Sequence, residues 1–222
     1  MEKTRQIKIL SIVALVVAIA GMTLGFAAFS TTLSISSSAT VTPNSEDFKV
    51  ALSSNSNYGD PINNVIEPSI VGDASASAII INNVGNTFTT NINVNFESPG
   101  SSVLYTVYAH NVGKYDAYFN KIVFDKVSGS ELKKVCSIPS GSNATPELVE
   151  QACDGIKFSV GVFNYTKYVY FTDDYYFNSI ILKPGQVGSG KFLIEYGSDA
   201  VRADGPFNVQ FGDITLEYNT VD

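Results

Sequence analysis

A long apolar segment near the N-terminus divides this chain into a leader and a part that folds elsewhere. Lys3, Arg5 and Lys8 precede an almost uninterrupted apolar run from Ile9 to Phe29. Small residues close the run, and a segment rich in Ser and Thr follows it. A basic head, an apolar middle and a small-residue end are typical of an export signal. We therefore expect the chain from about Phe29 onward to fold outside the membrane.

The leader, residues 1–28, can be removed or retained. A signal peptidase can cut after Ala27 or after Ala28, where the residues are small. The run of about 21 residues is also long enough to cross a bilayer, so it can instead stay as an N-terminal anchor. The basic residues keep the N-terminus in the cytoplasm in both cases. Cleavage is the preferred interpretation, and both alternatives predict a protein of the cell surface, the matrix or the medium.

Removal of the leader leaves 194 of the 222 residues, enough for one large domain with a substantial core. Three basic residues and one acidic residue leave with it, so the formal net charge changes from −7 to −9. A surface of that charge repels polyanions, which disfavours nucleic acid as a partner.

The remainder has the composition and periodicity of an all-β protein. Val, Ile, Thr, Tyr and Phe are frequent, and these residues favour strands. Ile92, Val94 and Phe96 alternate with Asn residues, which is the period-two pattern of a half-buried strand. Comparable segments between turn residues predict strands at 48–52, 74–82, 89–97, 103–111, 117–127, 156–163, 168–172, 178–185, 190–196 and 207–219.

One short helix is predicted in the middle of the chain. Thr145 can cap it, Pro146 suits its first position, and the pattern ends at Cys153. The fold class expected is an antiparallel two-sheet sandwich of jelly-roll or Greek-key type with one short helix, preceded by a hydrophobic signal helix. The expected divisions are a leader at 1–28, an extended arm at 29–47 and a β-sandwich domain at 48–222.

The chain contains two cysteines, Cys136 and Cys153. An even pair in an exported protein is most simply a disulfide, with two free thiols as the alternative. The bond would tie the helix to the end of the preceding strand and contribute about 3 kcal/mol in the chain-entropy model.

The leader and arm carry a resemblance to a known family. Gly-Phe-Ala-Ala-Phe-Ser at 25–30, the Ser/Thr-rich segment after it and the strand-turn pair at 103–122 resemble the TasA/camelysin family of exported bacterial proteins. The resemblance implies a jelly roll, a dedicated signal peptidase and assembly into biofilm-matrix fibres. In such fibres the N-terminal segment of one subunit completes a sheet of its neighbour. The segment around the cysteine pair departs from the fibre-forming members.

The arm has the properties of a donated strand. Phe29, Leu33, Ile35 and Val41 are apolar residues in an extended, Ser/Thr-rich segment, and they could fill pockets along an open sheet edge. Such a head-to-tail contact does not close, so the expected partner is the protein itself in a homopolymer. Other matrix or cell-surface proteins are further candidate partners. The alternatives for the arm are a first strand of the chain's own sheet and a linker.

The sequence shows no catalytic or cofactor-binding motif. The single histidine, His110, has no partners for a zinc or nucleophile site and is interpreted as a partly buried turn residue. No cofactor is expected. Several loop acids are interpreted as solvated turn residues, with a calcium site as the alternative: Asp173, Asp174, Asp199, Asp204 and Asp213. The Gly-rich segment 185–190 is interpreted as a loop.

Aromatic residues are unusually dense between positions 163 and 177. Tyrosine is common at protein interfaces and carbohydrate sites, so this segment is either core with incidental surface or a binding surface. The candidate binding residues are Tyr165, Tyr168, Tyr170, Tyr175 and Tyr176.

These observations predict an exported, non-catalytic structural subunit of surface or matrix fibres that polymerises by donor-strand exchange. The alternative is a monomeric, anchored or secreted binding module that holds a glycan or a protein. A surface peptidase, the enzyme class considered, lacks the necessary ligands in the sequence.

Overall fold

The computed structural model describes residues 47–84, 86–177 and 180–220. The predicted leader at 1–28, its cleavage points at Ala27 and Ala28, and the arm residues Phe29, Leu33, Ile35 and Val41 lie outside the described residues. Within the ranges described, no helix is long and apolar enough to cross a bilayer.

The described residues form antiparallel strands and one helix, α1 (Pro146–Asp154). The strands are β1 (Val50–Ser53), β2 (Val65–Ile66), β3 (Pro68–Val71), β4 (Ala74–Ala76), β5 (Ile79–Ile80), β6 (Asn82–Val84), β7 (Thr87–Thr90), β8 (Asn93–Phe96), β9 (Ser102–Asn111), β10 (Ala117–Phe124), β11 (Lys134–Ser137), β12 (Ile156–Phe163), β13 (Tyr168–Phe171), β14 (Tyr175–Tyr176), β15 (Ile181–Leu182), β16 (Val187–Tyr196), β17 (Phe207–Phe211) and β18 (Ile214–Thr220).

Within the described residues, the strands form three larger sheets and one two-stranded sheet. Sheet I has the order β1-β9-β16-β12-β13, with β3 also paired to β9. Sheet II has the order β14-β10-β18-β7-β6, with β15 also paired to β10. Sheet III has the order β11-β17-β8-β4, and β2 pairs with β5 separately.

Aromatic side chains join the sheets into two layers. Phe158 of sheet I packs against Phe124 of sheet II at 5.5 Å between ring centroids, and against Phe211 of sheet III at 5.0 Å. Sheet I therefore forms one layer, and sheets II and III together form the layer that faces it. Along β9, Val103, Tyr105 and Val107 face this core while the residues between them are half-buried. The predicted antiparallel sandwich with one short helix is confirmed.

Two predicted strands each divide between sheets II and III. The predicted strand 207–219 breaks at Gly212 into β17 of sheet III and β18 of sheet II. A side chain cannot replace the glycine, because a Cβ there would lie 2.1 Å from the Asp125 carbonyl oxygen. The predicted strand 89–97 breaks at Asn91 and Ile92 in the same way. The Phe211 amide donates to the Ile92 carbonyl at 3.1 Å, so the two breaks form one corner of the layer.

Other predicted boundaries are also wrong. The segment 185–190 is not wholly a loop, because β16 already begins at Val187 and pairs Gly188 and Gly190 with β9. Segment 74–82 is interrupted twice and divides among β4, β5 and the start of β6. β2 and β3 lie between the predicted strands 48–52 and 74–82, where no strand is predicted, and β11 is likewise not predicted. Of the predicted strand 178–185, the described part forms a strand at Ile181–Leu182.

The predicted disulfide joins Cys136 to Cys153, with a Cα–Cα distance of 6.1 Å. It ties α1 to β11 rather than to the end of β10, because the unpredicted β11 lies between them in sequence. The helix begins at Pro146 as expected, but the Thr145 side chain makes no capping hydrogen bond. The Thr145 hydroxyl instead bonds the carboxylate of Asp204, which leaves the cap without its side-chain acceptor.

Candidate ligand-binding face

Sheet register distributes the tyrosine-rich segment over several surfaces. Tyr168 and Tyr170 lie on β13 at the edge of sheet I. Tyr175 and Tyr176 lie on β14 in sheet II. Tyr165 lies in the turn between β12 and β13. The structure therefore brings two of the five candidate tyrosines onto one face and places the other three elsewhere.

Tyr170 lies flat on the backbone of the neighbouring strand. It pairs with Gly161, and a Cβ on that glycine would lie 2.6 to 3.1 Å from three atoms of the Tyr170 ring. Contact with three ring atoms means that the ring covers the position where a side chain would stand. Tyr170 is 43% exposed, so its other ring face is open to solvent.

Two further rings complete an aromatic platform, which consists of Phe163, Tyr168 and Tyr170. Phe163 pairs with Tyr168 across the strands, and their centroids are 5.3 Å apart. The centroids of Tyr168 and Tyr170 are 6.3 Å apart. Residues two apart on a strand share a face, so all three rings belong to the outer surface of sheet I.

Lys191 lies beside the aromatic platform and forms no ion pair with the described acidic residues. The Lys191 nitrogen lies 4.3 Å from the centroid of the Tyr168 ring, in cation–π geometry. Among the described residues, no carboxylate oxygen lies within 4.0 Å of this nitrogen. An ammonium has three N–H donors, so Lys191 can donate to a ligand.

Neutral hydroxyl groups continue the same face. The Tyr168 hydroxyl lies 2.8 Å from the Ser189 hydroxyl, which fixes the orientation of the ring. Register pairs Ser189 with Tyr108 and Lys191 with Thr106, and both partners are half-buried on the outer side of β9. The face therefore combines open ring surface, hydroxyl groups and one ammonium.

Tyr165 holds two sheets together instead of facing a ligand. Its hydroxyl donates to the Ile181 carbonyl at 2.6 Å and accepts from the Ile181 amide at 3.1 Å. Tyr165 adopts a φ of 67°, a left-handed conformation that is unfavourable for a bulky residue. The two hydrogen bonds tie the β12–β13 turn of sheet I to β15 of sheet II.

The tyrosines of β14 point in opposite directions. Tyr175 pairs with the fully buried Ile122 and packs 4.4 Å from Phe171, so it covers the edge of the core. Tyr176 pairs with Lys121 and is 71% exposed on the outer face of sheet II. Tyr175 therefore has a packing role, and Tyr176 lies in a different layer from the platform.

His110 is not a partly buried turn residue, because β9 continues through it and leaves it 1% exposed. Its Nε2 lies 2.7 Å from the Asn55 carbonyl oxygen, and its Nδ1 has no partner within the part of the chain described. Asn55 belongs to the connection after β1. No local pattern indicates this contact, because it spans 55 positions along the chain.

The loop acids bond to nearby protein groups. Asp174 accepts from the Phe124 amide at 2.9 Å and lies 3.3 Å from the Lys133 nitrogen. These contacts, the amide first, lower the pKa of Asp174, although partial burial opposes them. Two hydrogen bonds from Thr145 lower the pKa of Asp204. Across the three described ranges, no group of three or more His, Cys, Asp or Glu side chains is placed to hold a metal.

No protein-family model and no curated protein sequence matches the chain. Solved structures similar to it include the mannan-recognising carbohydrate-binding module TmCBM27, at 13% identity over 78% of this chain and 99% of that chain, with a TM-score of 0.27. TmCBM61, solved in complex with β-1,4-galactotriose, matches at 10% identity over 73% of this chain and 91% of that chain, with a TM-score of 0.20. Overlaps this low leave function to be argued from the side chains.

Proposed function

We propose that this chain is an exported, non-catalytic module of the cell surface that binds a carbohydrate on the outer face of sheet I. One observation carries the proposal: the Tyr170 ring lies on Gly161 with its opposite face open to solvent. Sugar rings present C–H faces that pack on aromatic rings, whose faces carry partial negative charge. The basic and apolar leader supports export.

The polar groups around Tyr170 suit the rim of a sugar. Lys191 supplies N–H donors, and the hydroxyls of Ser189 and Thr106 can donate and accept. Tyr168 and Lys191 are held in place by contacts within the chain, at 2.8 Å to Ser189 and 4.3 Å to the ring respectively. A site whose groups are already oriented loses less conformational entropy when a ligand binds.

Polysaccharide binding by the full chain tests the proposal. A glycan array selects the ligand, and titration calorimetry then measures its affinity for wild type, Tyr170→Ala and Tyr176→Ala. We expect Tyr170→Ala to lose at least about tenfold in affinity, or about 1.4 kcal/mol. Tyr176→Ala is the matched control, because Tyr176 is more exposed but lies on the other layer. Equal losses in both variants, or no binding by wild type, would reject the site.

A fibre subunit is the second candidate function, and it is favoured by the outer edge of β15, where no second strand pairs within the described residues. The Ile180 carbonyl accepts from Phe119 of β10, so the amide and carbonyl of the next residue, Ile181, point away from β10. On that outer side, both groups of Ile181 bond the Tyr165 hydroxyl. Beside this edge, a cavity of about 260 Å³ between sheets I and II is lined by Leu52, Phe119 and Leu182. An extended segment from a second copy could replace the Tyr165 hydroxyl and fill the cavity.

Deletion of residues 29–41 tests the fibre function separately from carbohydrate binding. If strand donation builds fibres, wild type forms filaments in electron micrographs and the deletion variant remains monomeric. Filaments that persist in the variant would rule out donation by this segment.

A further inference from the structure

A second cavity, of about 790 Å³, lies where α1 packs over the sandwich. It shares no residue with the aromatic platform. Its volume falls within the range of about 300–1,000 Å³ that is usual for small-molecule sites. The cavity is lined by α1, β11, the end of β10 and the start of β12.

Apolar groups form most of this cavity. Phe158 packs against both Phe124 and Phe211, and all three rings line the cavity. Val149 of α1 and the Cys136–Cys153 disulfide line it as well. A ligand placed here would bury apolar surface against rings and a disulfide, which favours a hydrocarbon body.

One lysine lies on the inner side of the cavity wall. Lys134 pairs with the buried Phe211, so its side chain is on the core-facing side of β11. Its ammonium donates to the Cys153 carbonyl at 2.6 Å and to the Ile156 carbonyl at 2.7 Å. These carbonyls belong to the C-terminal end of α1 and the residue that starts β12, so Lys134 also supplies positive charge at the negative end of the helix.

The ammonium of Lys134 has capacity for another contact. Two of its three N–H donors are used in the bonds to carbonyl oxygens. Within the described residues, no carboxylate oxygen lies within 4.0 Å of its nitrogen. Burial lowers the pKa of Lys134, and the Asp154 carboxylate opposes this shift from a greater distance. An added anion would therefore stabilise the charged lysine.

We infer that this cavity binds an amphipathic carboxylate, with its hydrocarbon chain on the phenylalanine rings and its carboxylate accepting from Lys134. Three acids, Asp125, Glu150 and Asp154, and two further lysines, Lys133 and Lys157, also line the cavity. Asp173 and Asp174 engage the Lys133 ammonium, so little positive charge beyond Lys134 remains to hold a second negative charge. This balance favours a monoanionic carboxylate over a phosphate. This site is independent of the carbohydrate proposal.

Titration calorimetry with straight-chain ligands measures both parts of the recognition. Affinity of the full chain should rise about fourfold for each CH₂ from octanoate to dodecanoate, because each buried methylene contributes a similar transfer free energy. Dodecanol and dodecyl phosphate should bind at least about tenfold more weakly than dodecanoate, since one lacks the charge and the other has too much. Equal affinity for dodecanoate and dodecanol would overturn the inference.

Adjacent lysines provide a matched pair of variants. Lys134→Met should lower dodecanoate affinity at least about tenfold. Lys133 also lines the cavity, but its ammonium is already engaged by Asp173 and Asp174, so Lys133→Met should change the affinity less than about twofold. Equal effects of the two substitutions would indicate non-specific attraction and contradict the site.

Photo-crosslinking locates the ligand without any substitution, which matters if Lys134→Met fails to fold. A dodecanoate analogue with a terminal diazirine is irradiated with the wild-type full chain, and the labelled peptides are mapped by mass spectrometry. Labels within 146–158 or 207–214 would support the cavity. Labels confined to the apolar leader, 1–28, would overturn it.

Discussion

The outer faces of sheets I and II use polar and aromatic residues in different ways. On sheet II, the Lys121 nitrogen lies 2.9 Å from Glu217, and the Asn120 amide donates to the same carboxylate at 2.5 Å. On sheet I, Lys191 contacts the Tyr168 ring, and no acid approaches it within the described residues. One face satisfies its charges within the chain, while the other keeps an ammonium that a ligand can use.

A glycine accounts for the aromatic part of this difference. Gly161 lets the Tyr170 ring rest on the backbone of β12, because any Cβ would occupy the space of the ring. Tyr176 on sheet II is more exposed but pairs with Lys121, whose side chain is engaged by Glu217. Exposure alone therefore does not identify a binding residue, and the neighbour beneath the ring is the better criterion.

Loss of the disulfide should give the largest change in stability and leave both faces intact. The double variant Cys136→Ser/Cys153→Ser opens a loop with a sequence separation of 17, so the free energy of unfolding should fall by about 3 kcal/mol. Denaturant titration measures the loss. Glycan affinity measured at a temperature where the variant is folded should match wild type; a parallel loss would mean that the platform depends on α1 and β11.

Substitution of Gly161 should remove the difference between the faces. Gly161→Val places a side chain where the Tyr170 ring lies, so the ring must leave the platform. Carbohydrate affinity should fall at least about tenfold, or about 1.4 kcal/mol, although Tyr170 itself is unchanged. Calorimetry with the array-selected glycan measures the effect. Unchanged affinity would show that the position of the ring on Gly161 has no role in binding.

Glu217→Gln should change stability on sheet II without changing binding on sheet I. Burial raises the pKa of Glu217, but hydrogen bonds from Lys121 and Asn120 outweigh that effect and lower it below 4.5. The contribution is therefore present above about pH 4.5 and is lost as pH falls through the folded-state pKa. We expect Glu217→Gln to lower the free energy of unfolding by less than about 1 kcal/mol at neutral pH. Its free energy of unfolding should also fall less steeply than that of wild type as the pH is lowered below about 4.5. A glycan-affinity change in this variant would contradict the separation of the faces.

Tyr168→Phe should weaken glycan binding less than Gly161→Val does. It removes the hydroxyl contact with Ser189 but keeps the ring under Lys191. Glycan affinity should fall about two- to fivefold, which corresponds to about 0.5–1 kcal/mol for one hydrogen bond. A loss as large as that from Gly161→Val would assign the recognition to the hydroxyl instead of to the Tyr170 ring.

Strands that stay in one sheet could be predicted from the sequence, and strands that change sheets could not. β9 and β12 each keep one alternation of apolar residues, and β10 stays in sheet II through a bulge between Phe119 and Lys121. The predicted positions of all three strands agree closely with the structure. The alternating pattern of Ile92, Val94 and Phe96 does not indicate the corner between β7 and β8. Ile92 lies at the corner but is as fully buried as Val94 and Phe96 of β8, so the pattern continues through it. Period-two alternation reports which side of a strand is buried and contains no information about which sheet buries it.

The proposed binding face was predictable only in part. Sequence density identified Tyr168 and Tyr170, but it grouped them with Tyr175 and Tyr176, because the separation into layers depends on strand register. Gly161 and Lys191 were not predicted as site residues. An isolated glycine inside a strand does indicate close approach of another group, so Gly161 could have been noticed. The contact of Lys191 with Tyr168 depends on pairing across two strands and has no local sequence pattern.

Amide chemical-shift mapping with the array-selected glycan distinguishes the two outer faces in one experiment. Shifts on titration should concentrate at Gly161, Tyr170 and Lys191 on the outer face of sheet I, while the amides of Lys121 and Glu217 remain unchanged. Shifts that concentrate around Lys121, Tyr176 and Glu217, with none on β12 and β13, would contradict it.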